Sequence, residues 1–336
     1  MDNNIFKSNL CFLVRIFYAS KGIAVRKGLF YTVLFLLLGP SFFTRAQESQ
    51  FTHFMYNNMG INPGYAGSTE MVGINIIHQN KLMGFEKAPR HDIASIDIPF
   101  TLFEKSHGVG LNLINSSMGV NNDIGMQLAY AFQRKMAIGD GKLGIGICGG
   151  FNRSTFKAGD LASGTDPLVP TTEATPMVFD FGTGVFYNSE KIHMGISVAH
   201  LITGERDYKI AAGDVMPLQR TFYVTAGYNY QLPNPMLMLC PSFLVQTSGN
   251  LTAVSFNTNI VYNNRIWGGF SYSAQNSVSA MFGLELLPGV KFGASYDYSV
   301  NYLRNGTGGS FEIFANYSFK LKKEKIPQRY KSIRYL

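Results

Sequence analysis

Several absences narrow the reading of this chain before any pattern is sought. Cysteine is scarce, three in 336 residues, which excludes a disulfide-dense scaffold. Charged residues make up only 15% of the chain. The longest apolar run, Gly28 to Phe43, falls short of the roughly 20 residues that a membrane-crossing helix needs. Chemical signatures are missing too. The histidines, His53, His78, His91, His107, His193 and His200, include no His-Glu-x-x-His pair, and no Gly-x-Ser-x-Gly elbow occurs. No catalytic residue, metal site or cofactor is therefore expected, and the chain reads as a non-enzyme.

What is present begins with a leader. Arg26 and Lys27 precede the apolar run, and Thr44-Arg45-Ala46 follows it, the order of a secretory signal peptide. Cleavage is expected after Ala46, with residues 1–25 as an extension of the leader, and no Cys stands at the cleavage position to anchor a lipid. The remaining chain divides into an N-terminal segment (47–70), a body (71–320) and a tail (321–336).

Charge follows these boundaries. Residues 1–46 hold six Lys/Arg and one acid, residues 320–336 seven and one, and residues 47–319 sixteen against nineteen acids. The net charge of +8 thus sits at the two ends, and the slightly acidic body offers no basic face for nucleic acid.

From Met71 onward the body is a succession of period-two segments. In 290–299, Val290, Phe292, Ala294, Tyr296 and Tyr298 alternate with Lys291, Gly293, Ser295, Asp297 and Ser299. In 252–262, Val254, Phe256, Ile260 and Tyr262 oppose Ser255, Asn257 and Asn259. A soluble sandwich also alternates, but two features favour a barrel in lipid. Aromatic residues gather near strand ends, as at Tyr130 and Phe132, Tyr228 and Tyr230, and Tyr317 and Phe319. Connections also alternate between short turns and longer loops, the longest being 157–176 and 202–218.

The pattern predicts an all-β, transmembrane antiparallel barrel of about fourteen strands, near 71–80, 91–103, 107–116, 124–134, 142–156, 177–188, 192–201, 219–232, 237–248, 252–262, 265–274, 278–287, 290–299 and 309–320. An even count brings both ends to one side, read as the periplasm. Cys148 and Cys240 fall in phase with inward positions, as small lumen residues. Glycines in Gly144-Ile145-Gly146 and Gly182-Thr183-Gly184 lie inside strands, where they suit close approach of another segment rather than phosphate binding. Lys291, Asp297, Glu285, Glu312 and Asp180 face inward, to pair across and hydrate the interior.

Before the first strand stands Phe51-Thr52-His53-Phe54-Met55-Tyr56-Asn57-Asn58-Met59-Gly60-Ile61-Asn62-Pro63-Gly64-Tyr65-Ala66-Gly67-Ser68. Phe51, Phe54, Met55 and Tyr56 give an apolar face at short helical spacing, and Asn62-Pro63-Gly64 is turn chemistry. A short helix near 50–57, packing at or into the periplasmic mouth, is expected. This passage closely resembles the opening signature of the PorP/SprF family of type IX secretion system membrane proteins. The resemblance continues through Gly84-Phe85 with Ala88-Pro89, Gly108-Val109-Gly110-Leu111, Asp180-Phe181-Gly182-Thr183-Gly184 and Tyr296-Asp297-Tyr298-Ser299. The chain departs from the family pattern at Leu82, where Trp is usual, at Lys87, where Gly is frequent, and at Phe311, where His is common.

The resemblance implies an outer-membrane component of the secretion apparatus that supports export or surface attachment of cargo such as gliding adhesins. It implies as partners periplasmic and outer-membrane proteins of that machinery and an exported cargo protein; a workable mechanism is that loops 157–176 and 202–218 hold the cargo's C-terminal domain. Phe51, Asn62, Pro63, Tyr65, Ala66 and Gly67, with Gly84, Phe85, Ala88 and Pro89, become candidates for plug or partner contact. The basic tail is either a solvated stub or a periplasmic docking peptide. A small-solute channel is the rival reading, since a barrel of this size can hold a polar lumen.

Overall fold

The computed structural model describes residues 50–137, 139–156, 177–202, 205–207, 215–217, 219–249, 251–274 and 276–321. The leader with its cleavage site, loop 157–176, most of loop 202–218 and the tail beyond residue 321 lie outside the described residues.

Fourteen long strands follow one another around a closed antiparallel barrel: β1 (Val72–Asn80), β2 (Arg90–Leu102), β3 (Lys105–Met118), β4 (Asn121–Lys135), β5 (Lys142–Phe156), β6 (Met177–Asn188), β7 (Ile192–Ala199), β8 (Thr221–Tyr228, resuming at Tyr230–Gln231), β9 (Leu237–Ser248), β10 (Leu251–Tyr262), β11 (Ile266–Ser273), β12 (Ser277–Leu287), β13 (Val290–Ser299) and β14 (Ser310–Phe319). Each strand pairs with the next, and β1 pairs with β14, Val72 opposite Phe319 and Asn80 opposite Phe311, which leaves no edge. A separate two-stranded piece, Glu205–Asp207 with Val215–Pro217, belongs to the β7–β8 connection.

The barrel has a turn end and a loop end. At the turn end Asn263 and Asn264 both adopt positive φ, 51° and 53°, the conformation of a type I′ hairpin turn that asparagine tolerates. The first and last strands begin and finish at this end, as the even count requires.

Alternation sets the two faces as expected. Ile124, Leu128, Ile145, Ile147 and Phe270 point outward and are exposed, while Asn112, Asn257 and Glu312 point inward and are fully buried. Outward aromatics form two bands: Tyr130, Tyr228, Tyr230, Tyr262 and Tyr317 at the turn end, and Phe179, Phe181, Phe222, Tyr272, Tyr296 and Tyr298 toward the loop end. These are the girdles of a barrel in a bilayer. Cys148 and Cys240 are free thiols, and each is partly buried.

Leu128 sits midway along β4 on the outward face with 58% of its surface exposed. Replacing Leu128 with Arg is predicted to lower folding stability in bilayers by about 2–4 kcal/mol, because the charge meets the hydrocarbon midplane. Urea unfolding of the lipid-reconstituted protein reads the change, and an unaltered midpoint would place this face away from lipid.

Candidate functional site

Fourteen strands enclose more space than inward side chains alone fill; eight strands already leave room for side chains or one small ligand. Yet inward polar groups around the barrel are shielded from water. Asn75, Asn112, Gln133, Asp180, Thr225, Asn257, Ser279, Asp297 and Glu312 are each less than 7% exposed. The filler is the segment from Gln50 to Ser68.

This segment contains three single turns, Phe54–Tyr56, Asn58–Ile61 and Pro63–Tyr65. It starts near the loop end, where the Gln50 side chain accepts a hydrogen bond from Ser273 Oγ and the Gln50 carbonyl accepts one from Gln79 Nε2. It finishes at the turn end, where Ala66 and Gly67 lie on His107 and Gly108 at the start of β3. A short helix near 50–57 packing at or into the mouth is expected; the structure instead has single turns in a segment that threads the lumen along the barrel's height. Burial explains the difference. Phe51, Phe54, Met59 and Ile61 are all buried, each worth about 1.5–3 kcal/mol away from water, and a cap at the mouth would leave part of that surface wet.

Near the loop end one carboxylate fastens the segment. Glu312, on β14 and fully buried, accepts the backbone N–H of Thr52 (2.9 Å) and of His53 (2.8 Å) and the amide of Gln79 (2.8 Å). His53 Nδ1 lies 2.6 Å from Glu312 Oε1. The Thr52 hydroxyl donates to Asp297, with both carboxylate oxygens at 2.9 Å. These contacts satisfy the buried carboxyl group, which would be costly to hold away from water without partners. An inward aromatic cluster packs below this contact: Tyr56 stacks on Phe314 at 4.3 Å between centroids, and Trp267 lies 5.6 Å from Tyr56.

At the other end the wall is cut back to glycine. A Cβ on Gly108 would stand 2.2 Å from Ala66 O, on Gly144 2.1 Å from Gly64 O, on Gly146 2.4 Å from Pro63 C, and on Gly184 2.2 Å from Asn62 Oδ1. The in-strand glycines therefore serve the close approach that their position suggested. Polar groups complete the seat. Gln133 Nε2 donates to the carbonyls of Gly64 and Ala66, Ser197 Oγ to that of Ile61, and Asn62 Nδ2 to Val185 and Ile196. Just outside the mouth, Lys142 Nζ is 3.5 Å from Glu70 and holds that carboxyl below its usual range.

Of the sequence candidates, Phe51, Asn62, Pro63, Tyr65, Ala66 and Gly67 all belong to this seated segment, with Tyr65 edge-on to Phe186 at 5.2 Å. Gly84, Phe85, Ala88 and Pro89 are not brought to it; they form the β1–β2 loop at the other end of β1. Glu312 and Asp297, read as lumen charges, turn out to be the anchors. Trp267, Phe314, Gln133 and Ser197 were not singled out, although their inward phase was available from the alternation. Among the described residues, no group of three His, Cys, Asp or Glu side chains is placed to hold a metal ion.

Comparison with known proteins decides the family. The family described as "Type IX secretion system membrane protein PorP/SprF" matches residues 43–317. The chain belongs to that family. No curated protein matches the chain. Among solved structures it is similar to the toluene transporter TodX of Pseudomonas putida, at 11% identity and TM-score 0.44, covering 78% of this chain and 93% of that one. It is also similar to the outer membrane protein Omp33 of Acinetobacter baumannii, at 7% identity and TM-score 0.41, covering 76% and 100%. With its lipid-facing girdles, this PorP/SprF protein is a β-barrel of the outer membrane.

Two variants attack the seat from opposite ends. Glu312→Ala removes the anchor and leaves His53 and two amides unpaired, a loss of about 1–3 kcal/mol for each buried group left unsatisfied. Gly146→Val drives a side chain into Pro63. Both are predicted to open the lumen, so that planar bilayers showing little conductance with the wild-type protein show steady channels with either variant. Equal conductance in all three would mean that the segment does not block the pore.

Proposed function

We propose that this PorP/SprF protein is a non-enzymatic part of the type IX secretion apparatus that supports export or surface attachment of particular cargo proteins, such as gliding adhesins. The observation that carries this reading is the occupied lumen. A pore for small solutes needs a continuous wetted path, and here the inward Asn, Asp, Glu and Gln side chains are closed off by the chain's own residues 50–68. A sealed, pinned barrel suits a fixed platform in the membrane, with family membership supplying the machinery that it serves.

In this reading the turn end faces the periplasm, where a folded barrel with short turns presents a compact surface to other secretion proteins. The loop end faces outward, where the connections 157–176 and 202–218 hold the cargo's C-terminal domain. The basic tail that follows β14 in the sequence serves as a docking peptide for machinery proteins.

Deleting the gene is expected to leave the outer membrane intact while one class of surface protein disappears from the cell exterior and accumulates within. Affinity purification from native membranes is expected to bring down secretion proteins. An unchanged surface proteome, together with rapid solute-dependent swelling of liposomes that carry the purified protein, would favour the small-solute channel instead.

A further inference from the structure

At the turn end, the outward wall of β2, β3 and β4 is more elaborate than contact with lipid tails requires. Phe100, His107 and Phe132 stand side by side across the three strands. His107 stacks on Phe100 at 5.4 Å between centroids and on Tyr130 at 5.8 Å, and it meets Phe132 edge-on at 5.4 Å. Its Nδ1 lies 2.7 Å from the Tyr130 hydroxyl, which fixes both rings. Alternation turns His107 away from the lumen, yet it is buried, because the neighbouring rings cover it. The four rings form a fixed shelf within the aromatic girdle.

One step nearer the turn, the same face carries cations. Lys105 and Arg134 stand two residues from His107 and Phe132 along β3 and β4, so they share the outward side, and both are exposed. Lys105 Nζ is 6.0 Å from the centroid of the Phe132 ring, which joins the cationic step to the shelf. Among the described residues, neither cation has an ion-pair partner. Glu104, next to Lys105 in the chain, is exposed and bonded to neither. Lys135 and Lys142 fall on the lumen side by alternation, and their charges act on Glu70 instead. Beside Lys105 the β2–β3 turn leaves Leu102 and Phe103 open, 46% and 86% exposed. Phe103 and Glu104 hold φ of 48° and 60°, a backbone conformation that a bulky Phe seldom adopts.

We propose that this edge is a binding site for the headgroup of an anionic phospholipid in the membrane leaflet at the turn end. The Arg134 guanidinium can give two parallel N–H bonds to one phosphate, and the Lys105 ammonium adds a point charge beside it. The ring shelf supports the glycerol, and the exposed Val109 and Leu113 farther along β3 meet the acyl chains. Depth agrees with the chemistry, since the girdle marks the boundary of the hydrocarbon and the cations stand just past it, where headgroup charge lies. The open Phe103 ring suits the same interface. On the inner side of this stretch, His107 and Gly108 receive Ala66 and Gly67. A lipid held here would brace the wall from outside where the end of the lumen segment presses on it from within. The choice of leaflet rests on the orientation proposed above; the chemistry of the edge does not.

Native mass spectrometry of the full-length protein released from detergent micelles tests this, with phosphatidylglycerol, phosphatidylcholine and inorganic phosphate as probes. The wild-type protein is expected to retain phosphatidylglycerol, with little retention of phosphatidylcholine and no displacement by millimolar phosphate. Lys105→Gln/Arg134→Gln is expected to lose roughly tenfold or more in phosphatidylglycerol retention, and Arg134→Lys to lose less. Lys191→Gln/Arg265→Gln, which removes the same charge from two other turns, is expected to behave as wild type, with heat-modifiable gel mobility confirming a folded barrel in each case. Unchanged retention in the first double variant, or equal loss in both, would overturn the site. Displacement by phosphate would overturn the lipid assignment. A first double variant that keeps its lipid but loses a secretion protein on purification from native membranes would assign the edge to a protein contact instead.

Discussion

The buried carboxylate of Glu312 connects the two parts of the molecule. It projects inward from the last strand and receives the backbone of Thr52 and His53, the first turn of the segment that fills the lumen. A barrel of fourteen strands needs such a filler, because its wall alone would surround a wet cavity. The remaining inward features follow from that need. Aromatic rings line the wall where the segment is bulky, at Trp267 and Phe314, and glycines line it where the segment's backbone touches, at Gly108, Gly144, Gly146 and Gly184.

The direction of threading has a consequence for topology. Both ends of the strand array lie at the turn end, but Gln50 sits near the loop end, and the chain returns through the lumen before β1 begins. The interior segment therefore runs antiparallel to β1, and the wall closes around it on every side. Its polar backbone groups outside the short turns find partners in Gln133, Ser197 and Glu312, as irregular backbone at membrane depth must.

Much of this was legible in the sequence, and the reasons are physical. Strand positions and the lipid-facing side follow from a period of two, which survives wherever one face meets hydrocarbon; Phe292, Tyr296 and Tyr298 against Ser295, Asp297 and Ser299 show it without ambiguity. The opening signature could be recognised as a unit that packs. Its depth and direction could not, because Phe51, Phe54 and Met55 would serve equally to cap a mouth or to fill a lumen, and period-two patterning carries no information about which inward residues meet another segment. Asp297 and Glu312 read as hydrated lumen charges for the same reason. The in-strand glycines were the one local hint, since inward positions without a side chain imply that something else comes close.

A disulfide-trapping experiment addresses the threading most directly. In a background of Cys148→Ser and Cys240→Ser, Thr52→Cys and Asp297→Cys replace a side-chain pair now in contact at 2.9 Å near the loop end. The account predicts rapid, near-complete crosslinking of this pair in native membranes under mild oxidation, read by mass spectrometry of the digested protein. Crosslinking of Thr52→Cys to a partner at the turn end such as Ser318→Cys, with none to Asp297→Cys in a folded barrel, would contradict it.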